Sequence, residues 1–397
     1  MAHHKRCTRL SGVMAAPLAS ARKASPGAGT KPRSTLLPPR APGEGRPSAA
    51  PEAGANPFVT LLRSVQPDIE SRLAGFLDAR ITEARALGPE VQTLVREIRR
   101  LALRGGKRLR PALVVAGLRT VSSSAELEPA LDAGVALELL HTYFLIHDDW
   151  MDGDRVRRGG PSVHVALAER FHSEHKGNAS AILAGDYAVA LACDALARVE
   201  IPAERLRGAF LVFAEMQLGA VAGQQLDMVG RGKDVELGYA LKTGSYTVEG
   251  PLKMGALLAG GKPATLQALS RYARPAGVAF QLRDDLLSLF GDPAQTGKPL
   301  ASDLMAGKRT LLLRLALRRG KPPELSAIRK VLENPRAKVP ALRDALSAIQ
   351  ATGAPEQVEQ RIAQLSEQAL AELERDVSPA GRELLLGATT ALCLRRT

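Results

Sequence analysis

From Phe58 onward, apolar residues recur at three- and four-residue spacing, the mark of helices that bury one face. The pattern predicts helical segments over 66–104, 127–152, 178–198, 203–228, 234–259 and 264–290. Breakers separate them: Gly105-Gly106, Gly159-Gly160-Pro161, Gly230 with Gly232, Gly260-Gly261 and Gly291-Asp292-Pro293. From Gly134 to Ile146 the chain is apolar nearly all round, which predicts a central, buried helix. No stretch alternates with period two for long enough to demand a sheet, and no solenoid-type repeat is present. The expectation is an all-α fold, one large bundle of about ten or more helices over residues 58–397.

Residues 1–57 read differently. They are rich in Ala, Pro, Gly, Ser and Arg and carry no periodicity, so they bury too little surface to offset ordering entropy and are predicted to be a disordered tail. Their Arg-rich, acid-poor character has something of a transit peptide, but the prolines oppose an amphipathic targeting helix, and Met14 offers a second start. A cytoplasmic location is expected, with organelle targeting the lesser alternative.

Composition narrows the class. Of 397 residues, 45% are hydrophobic and 24% charged, ample for a core, and only 4% are aromatic, which suits helices better than sheet. Cys7, Cys193 and Cys393 lie far apart without a CxxC pair, which excludes a disulfide framework or zinc ribbon and suits a reducing compartment. No apolar run reaches the roughly 20 residues of a bilayer span, so no membrane span is expected. The net charge of +13 invites a nucleic-acid reading. Nine Lys/Arg against two acids in residues 1–56 account for +7 of it, and no basic helix face with interleaved aromatics appears elsewhere. No nucleic-acid partner is expected.

The candidate chemistry begins where the apolar helix ends in acid, at His147-Asp148-Asp149-Trp150-Met151-Asp152. Asp148 and Asp152 are four apart and share a helical face, with Asp149 about 100° round. Acids are unfavourable at the negative end of a helix, and crowded carboxylates repel unless a cation sits among them. Hard oxygen donors that leave room for water and phosphate suit Mg²⁺. A second apolar helix carries Gln281-Leu282-Arg283-Asp284-Asp285, and two such helices suggest facing halves of a metal site inside a bundle. Basic loops appear nearby in sequence: Arg104-Gly105-Gly106-Lys107-Arg108-Leu109-Arg110, Arg157-Arg158-Gly159-Gly160, Lys242-Thr243-Gly244, Gly297-Lys298 and Gly307-Lys308-Arg309-Thr310. None fits GxxxxGK[ST], yet opposite two acidic clusters they look like diphosphate clamps.

These motifs together resemble the trans-prenyl diphosphate synthases, the farnesyl and geranylgeranyl diphosphate synthase family. GGKRLRP, DDWMD followed by RRGGP, the KT pair, FQLRDD and GK…DLMAGKRT occur in the family's order within about 60–395. The resemblance implies the isoprenoid synthase type I fold, with helices around a central apolar cavity, and a homodimer. It implies Asp148, Asp149 and Asp152 as Mg²⁺ ligands, with Asp284 and Asp285 holding a third ion and Mn²⁺ an acceptable substitute. Arg157, Lys242, Thr243, Gln281 and Lys298 would contact an allylic diphosphate; Lys107, Arg110, His141 and Arg158 would bind isopentenyl diphosphate. The expected partners are therefore small isoprenoid diphosphates. One departure stands out: Ser288 replaces the last acid of the second motif. The implied reaction ionises an allylic diphosphate, lets the isopentenyl double bond attack the cation, and loses a proton.

Phe144, four residues before Asp148 and about 6 Å deeper on nearly the same face, is a candidate floor for the growing chain. Tyr143 lies roughly 140° round the helix, so its role as floor rests on the resemblance alone. A C15 product is expected, with C20 its rival. A non-catalytic partner subunit is the different-class alternative, but it should have lost aspartates or Arg157. A class I terpene cyclase would not need Lys107, Arg110 and Arg158. A His-Asp phosphohydrolase would need further ligands. His172 and His175 are expected to be solvated, Cys193 in the core, and the end from Leu392 frayed.

Overall fold

Proline sets the first turn of helix after helix: Pro57, Pro89, Pro129, Pro263 and Pro379 each stand where a missing N–H costs nothing and a fixed φ helps. The computed structural model describes residues 56–229, 234–291, 301–334, 337–373 and 376–394, all within one compact unit. The helices are α1 (Pro57–Ala84), α2 (Pro89–Leu103), α3 (Leu109–Val121), α4 (Glu128–Met151), α5 (Val163–Phe171), α6 (Glu174–Ala197) and α7 (Ala203–Val229). Then α8 (Val235–Tyr239) runs through a π-helical stretch, Ala240–Glu249, into α9 (Gly250–Leu258), followed by α10 (Pro263–Phe290). The C-terminal part holds α11 (Ser302–Met305), α12 (Leu311–Arg319), α13 (Pro322–Leu332), α14 (Val339–Ala351), α15 (Ala354–Ala371) and α16 (Pro379–Cys393). The sheet among the described residues is one two-residue hairpin, Val156–Arg157 with Gly160–Pro161. The expected all-α architecture is present.

Two boundaries differ from the sequence reading. The single helix expected over 66–104 is two, because Gly88 takes a left-handed φ of 133° and Pro89 restarts the chain in a new direction. Lys242-Thr243-Gly244 does not interrupt its helix; the helix widens into the π form there and continues.

Helices α3, α4 and α10 form the interior, α4 being buried through nearly the whole of 130–142. Helices α3 and α9 cross backbone to backbone. A Cβ on Gly117 would strike the Leu252 carbonyl and one on Gly255 the Val114 carbonyl, so only glycine permits the crossing. The end of the chain is pinned rather than frayed through Cys393. Arg283 donates to the Cys393 carbonyl at 2.8 Å and forks onto Glu359, and Tyr272 Oη donates to the Leu385 carbonyl at 3.0 Å. Residues 395–397 and the tail before 56 lie outside the described residues.

Three helices, α4, α6 and α7, are long and apolar enough to cross a membrane by length and composition, contrary to the reading that no segment is. Packing accounts for α4, whose apolar window is 67% buried in the fold. By contrast, α7 keeps Leu211, Leu218 and Val221 exposed along one side, at positions that recur with helical period.

Candidate active site

Helix α4 delivers the first acidic cluster at its C-terminal turn. Asp149 is fully buried, and Arg157 from the hairpin donates Nε to its Oδ1 at 2.6 Å. Burial pushes the Asp149 carboxyl up to about 6, although Arg157 works the other way. Its Oδ2 is buried with no protein donor. Asp152 is also raised, first by burial and then by Asp148. Two ammonium groups face this cluster. Lys242 Nζ stands 3.7 Å from Asp148 and 2.6 Å from Asp227 of α7; Lys308 Nζ stands 3.4 Å from Asp152. Burial opposes both lysine charges, yet the surrounding carboxylates prevail and raise both pKa values.

The second cluster is reached through one hydrogen-bond chain. Thr243 Oγ1 donates to Gln281 Oε1 at 2.6 Å, and Gln281 Nε2 donates to Asp285 Oδ1 at 2.9 Å. Tyr239 Oη donates to the other oxygen of Asp285. Asp285 is 3% exposed, and burial pushes its carboxyl up to about 7 against the pull of Tyr239 and Gln281. Each of its oxygens accepts one protein hydrogen bond and keeps a second lone pair, which a metal held beside Asp284 can use. Asp284 is only half-buried on the same turn. Ser288 turns to its own helix, donating to the Asp285 carbonyl at 2.9 Å.

A third group is cationic. The hairpin turns on Arg158 and Gly159, both with left-handed φ (50° and 73°), the two-residue turn that matches strand twist. Arg104 locks it by donating to the carbonyls of Arg157 at 3.0 Å and Pro161 at 2.9 Å; its guanidinium fills the space a side chain on residue 160 would need. This sends Arg157 to Asp149, while Arg158 donates to the Gly105 carbonyl at 2.7 Å and lies 3.3 Å from His141 Nε2. Burial, then Arg110 and Arg158, hold His141 well below the ordinary imidazole range, so it is neutral, accepts at Nε2 and carries its proton on Nδ1. That Nδ1 is buried without a partner. Arg110 lies 4.3 Å over the Tyr246 ring and donates to Thr247 Oγ1 at 2.8 Å. Beneath it Arg108, 2% exposed, donates to Glu138 Oε2 at 2.7 Å. Lys107 sits on the glycine turn alongside.

Between these groups runs an aromatic layer. Phe144 packs 4.8 Å from Tyr143 and 4.7 Å from Tyr246, centroid to centroid. The structure therefore brings together Asp148, Asp149, Asp152, Arg157 and Lys242, and links Lys242 through Thr243 and Gln281 to the Asp284–Asp285 pair. It groups Arg110, His141 and Arg158 on the other side. Lys298 lies outside the described residues. Sequence reading did not single out Asp227, Tyr239, Tyr246 or Thr247, and it named Glu138 not at all. Asp303, which acts on Lys308 and Asp285, was also passed over. Asp227 lies 15 residues before Lys242 and only the fold brings the two together.

The donor set suits a hard divalent ion. The open ligand atoms are carboxylate oxygens, one of them the orphaned Asp149 Oδ2, and lysine ammonium groups stand where the acids crowd. Among the described residues no three acidic or imidazole side chains converge on one point. A bound ion would complete its shell with water and phosphate oxygens, the habit of Mg²⁺.

Comparison with known proteins identifies the family. Residues 91–349 match the family model described as polyprenyl synthetase. A short chain isoprenyl diphosphate synthase of Methanothermobacter thermautotrophicus is 34% identical over 73% of this chain and 86% of its own length. The farnesyl diphosphate synthase of Escherichia coli is 39% identical over 53% of this chain and 70% of its own. The geranylgeranyl pyrophosphate synthase of Corynebacterium glutamicum, solved with isoprenyl diphosphate and magnesium, superposes with a TM-score of 0.77 at 38% identity, covering 86% of this chain and 99% of its own.

Proposed function

Because this chain belongs to the polyprenyl synthetase family and is a short-chain trans-prenyl diphosphate synthase, we propose that it makes farnesyl diphosphate from isopentenyl diphosphate and dimethylallyl or geranyl diphosphate. One observation carries the product length: the Phe144 ring, wedged between Tyr143 and Tyr246 one turn below Asp148. That layer would close the path of a chain growing down α4 and keep the product short. Geranylgeranyl diphosphate is the second reading, supported by relatives that bear that name.

In this reading Arg157, Lys242 and Lys308 grip the allylic diphosphate, together with Lys298. Lys107, Arg110 and Arg158 grip the isopentenyl diphosphate, to which His141 donates from Nδ1. Mg²⁺, three ions in this reading and replaceable by Mn²⁺, supplies positive charge to the leaving diphosphate when bound. Asp148, Asp149, Asp152, Asp284 and Asp285 would hold it, Asp285 also orienting Gln281. The allylic carbon–oxygen bond breaks, the isopentenyl double bond forms the new carbon–carbon bond, and a proton leaves to close the alkene. Apolar helix walls keep water from the cation.

The exposed stripe of Leu211, Leu218 and Val221 on α7, with Leu183 on α6, suits a second copy of this chain as partner. Light scattering on wild type and Leu218→Glu tests this; an unchanged mass in the variant counts against the face.

The assay gives purified protein labelled isopentenyl diphosphate, Mg²⁺ and each of dimethylallyl, geranyl and farnesyl diphosphate as primer, with Asp148→Ala and EDTA as controls. C15 as the end product supports the reading. C20 keeps the enzyme and reduces the aromatic layer to packing. No condensation with any primer replaces the reading by a non-catalytic partner subunit.

A further inference from the structure

Three of the groups placed around the allylic diphosphate come from three different segments. Lys242 lies on the π-helical stretch, Asp284 on α10, and Lys308 in the loop before α12. Something must index these segments to one another. One phenol, immediately before the π-helical stretch, bonds to α10 and to the first residue of α12. Tyr239, the last residue of α8, donates its hydroxyl proton to Asp285 and accepts the Leu311 N–H at 2.9 Å. Tyr239 is three residues from Lys242, Asp285 is next to Asp284, and Leu311 is three residues from Lys308.

The chemistry of each contact suits a fixed joint. Leu311 N–H is the first orphan donor of α12, since the Thr310 cap serves Leu313 instead. Asp285 is buried, so losing a donor there is costly. Tyr239 itself is held neutral, first by burial and then by Asp285, so the proton stays on the phenol. The other Asp285 oxygen orients Gln281, whose carbonyl oxygen then takes Thr243 as donor. The hydroxyl therefore sits at the branch point of a network running from Thr243 to the start of α12.

We propose that Tyr239 is a positioning residue for the diphosphate-binding half of the site, its hydroxyl setting Lys242, Asp284 and Lys308 in register across three segments. It has no contact with Arg110, His141 or Arg158, so the isopentenyl side does not depend on it. The inference rests on the synthase reading above.

The test uses the full chain as wild type, Tyr239→Phe and Leu311→Pro. Proline is accepted at the first helical position, so the second variant removes the N–H while keeping the helix. Calorimetric titration with inorganic diphosphate in Mg²⁺ is read beside steady-state kinetics and thermal melting. Tyr239→Phe should weaken Mg²⁺-dependent diphosphate binding about tenfold and raise half-saturating Mg²⁺ by a similar factor, with KM for isopentenyl diphosphate within about twofold of wild type. Leu311→Pro should show the same selectivity at about threefold. Wild-type diphosphate and Mg²⁺ affinity in Tyr239→Phe overturns the proposal, whatever its melting temperature. So does an equal loss toward both substrates, the mark of a merely structural role. If Tyr239→Phe does not fold, Leu311→Pro decides: wild-type Mg²⁺ dependence there overturns it. A wild type that binds diphosphate but condenses no substrate pair removes the synthase reading, while the titration still judges the hydroxyl.

Discussion

Replacing Glu138 by Gln should cost this fold more than any other single-atom exchange near the cationic group. Arg108 caps α3 with a left-handed φ of 50°, and its side chain is 1% exposed against 4% for Glu138, its ion-pair partner at 2.7 Å. Glu70 is the other acid in reach, 3.5 Å from Arg108 Nε and 40% exposed, hence screened by water. Arg158, its pKa lowered first by burial and further by Arg108 and Arg110, also leans on Glu138. Glu138→Gln keeps the shape and deletes the charge. Stranding one member of a buried pair costs about 3–5 kcal/mol, and Glu70 keeps the expectation near the lower end, about 3 kcal/mol. At about 2 °C per kcal/mol for a chain of this size, the melting temperature should fall by about 6 °C in EDTA. Isopentenyl diphosphate brings its own negative charge, so it should raise the melting temperature of the variant more than that of wild type. Differential scanning calorimetry with and without this ligand measures both. Removing the pair together, as Arg108→Met with Glu138→Leu, should cost about 1 kcal/mol or less. A fall under about 2 °C in Glu138→Gln would refute the reasoning, because the charge would then be compensated elsewhere.

Other consequences are simpler to check. Phe144→Ala should shift the product distribution toward C20 and longer, read by chromatography of the dephosphorylated alcohols; an unchanged C15 limit would place the floor elsewhere. Asp285 holds its proton to about 7 in the folded state against 3.8 as an ordinary carboxyl, so folded protein binds more protons and wild-type stability falls as pH rises through that range. The stability gained by Asp285→Asn over wild type should therefore widen from about pH 5 to about pH 8, and a constant difference in melting temperature contradicts it. Gly255→Ala drives a Cβ into the Val114 carbonyl and should destabilise by several kcal/mol, on the order of ~3 or more, or abolish soluble expression; a melting temperature near wild type would mean α9 can slide. Trp150, the one tryptophan, sits between the acids of α4, so Mg²⁺ with diphosphate should change its fluorescence; the same response in Asp148→Ala speaks against the site.

What was legible in the sequence was local. The 3.6-residue period located α4, α6, α7 and α10 closely, and acid pairs at the ends of apolar stretches located both clusters. The Gly88-Pro89 break was written in the chain but concealed by apolar spacing that runs through it without a phase change. The hydrogen-bond donors of Asp285 were not legible, because they come from 46 residues upstream and from its own helix. Glu138 went unread, because its partner Arg108 lies 30 residues upstream at a left-handed turn. The pinned C-terminus depends on Arg283 and Tyr272 reaching across more than a hundred residues, a distance at which periodicity carries no information.

The widened helix at 240–249 has a geometric consequence of its own. Lys242 and Thr243 reach toward the acids of α4 and α10, while Tyr246 and Thr247 stand under Arg110, so under the proposed function a few consecutive residues serve both diphosphate sites. The offset between the two proposed diphosphate sites is then set in part along one covalent stretch, in addition to what the neighbouring helices contribute. Drift in the surrounding walls can lengthen or shorten what fits above the aromatic layer. It disturbs the spacing of those two sites less, so chain length is free to vary among such enzymes while the linkage between units stays the same.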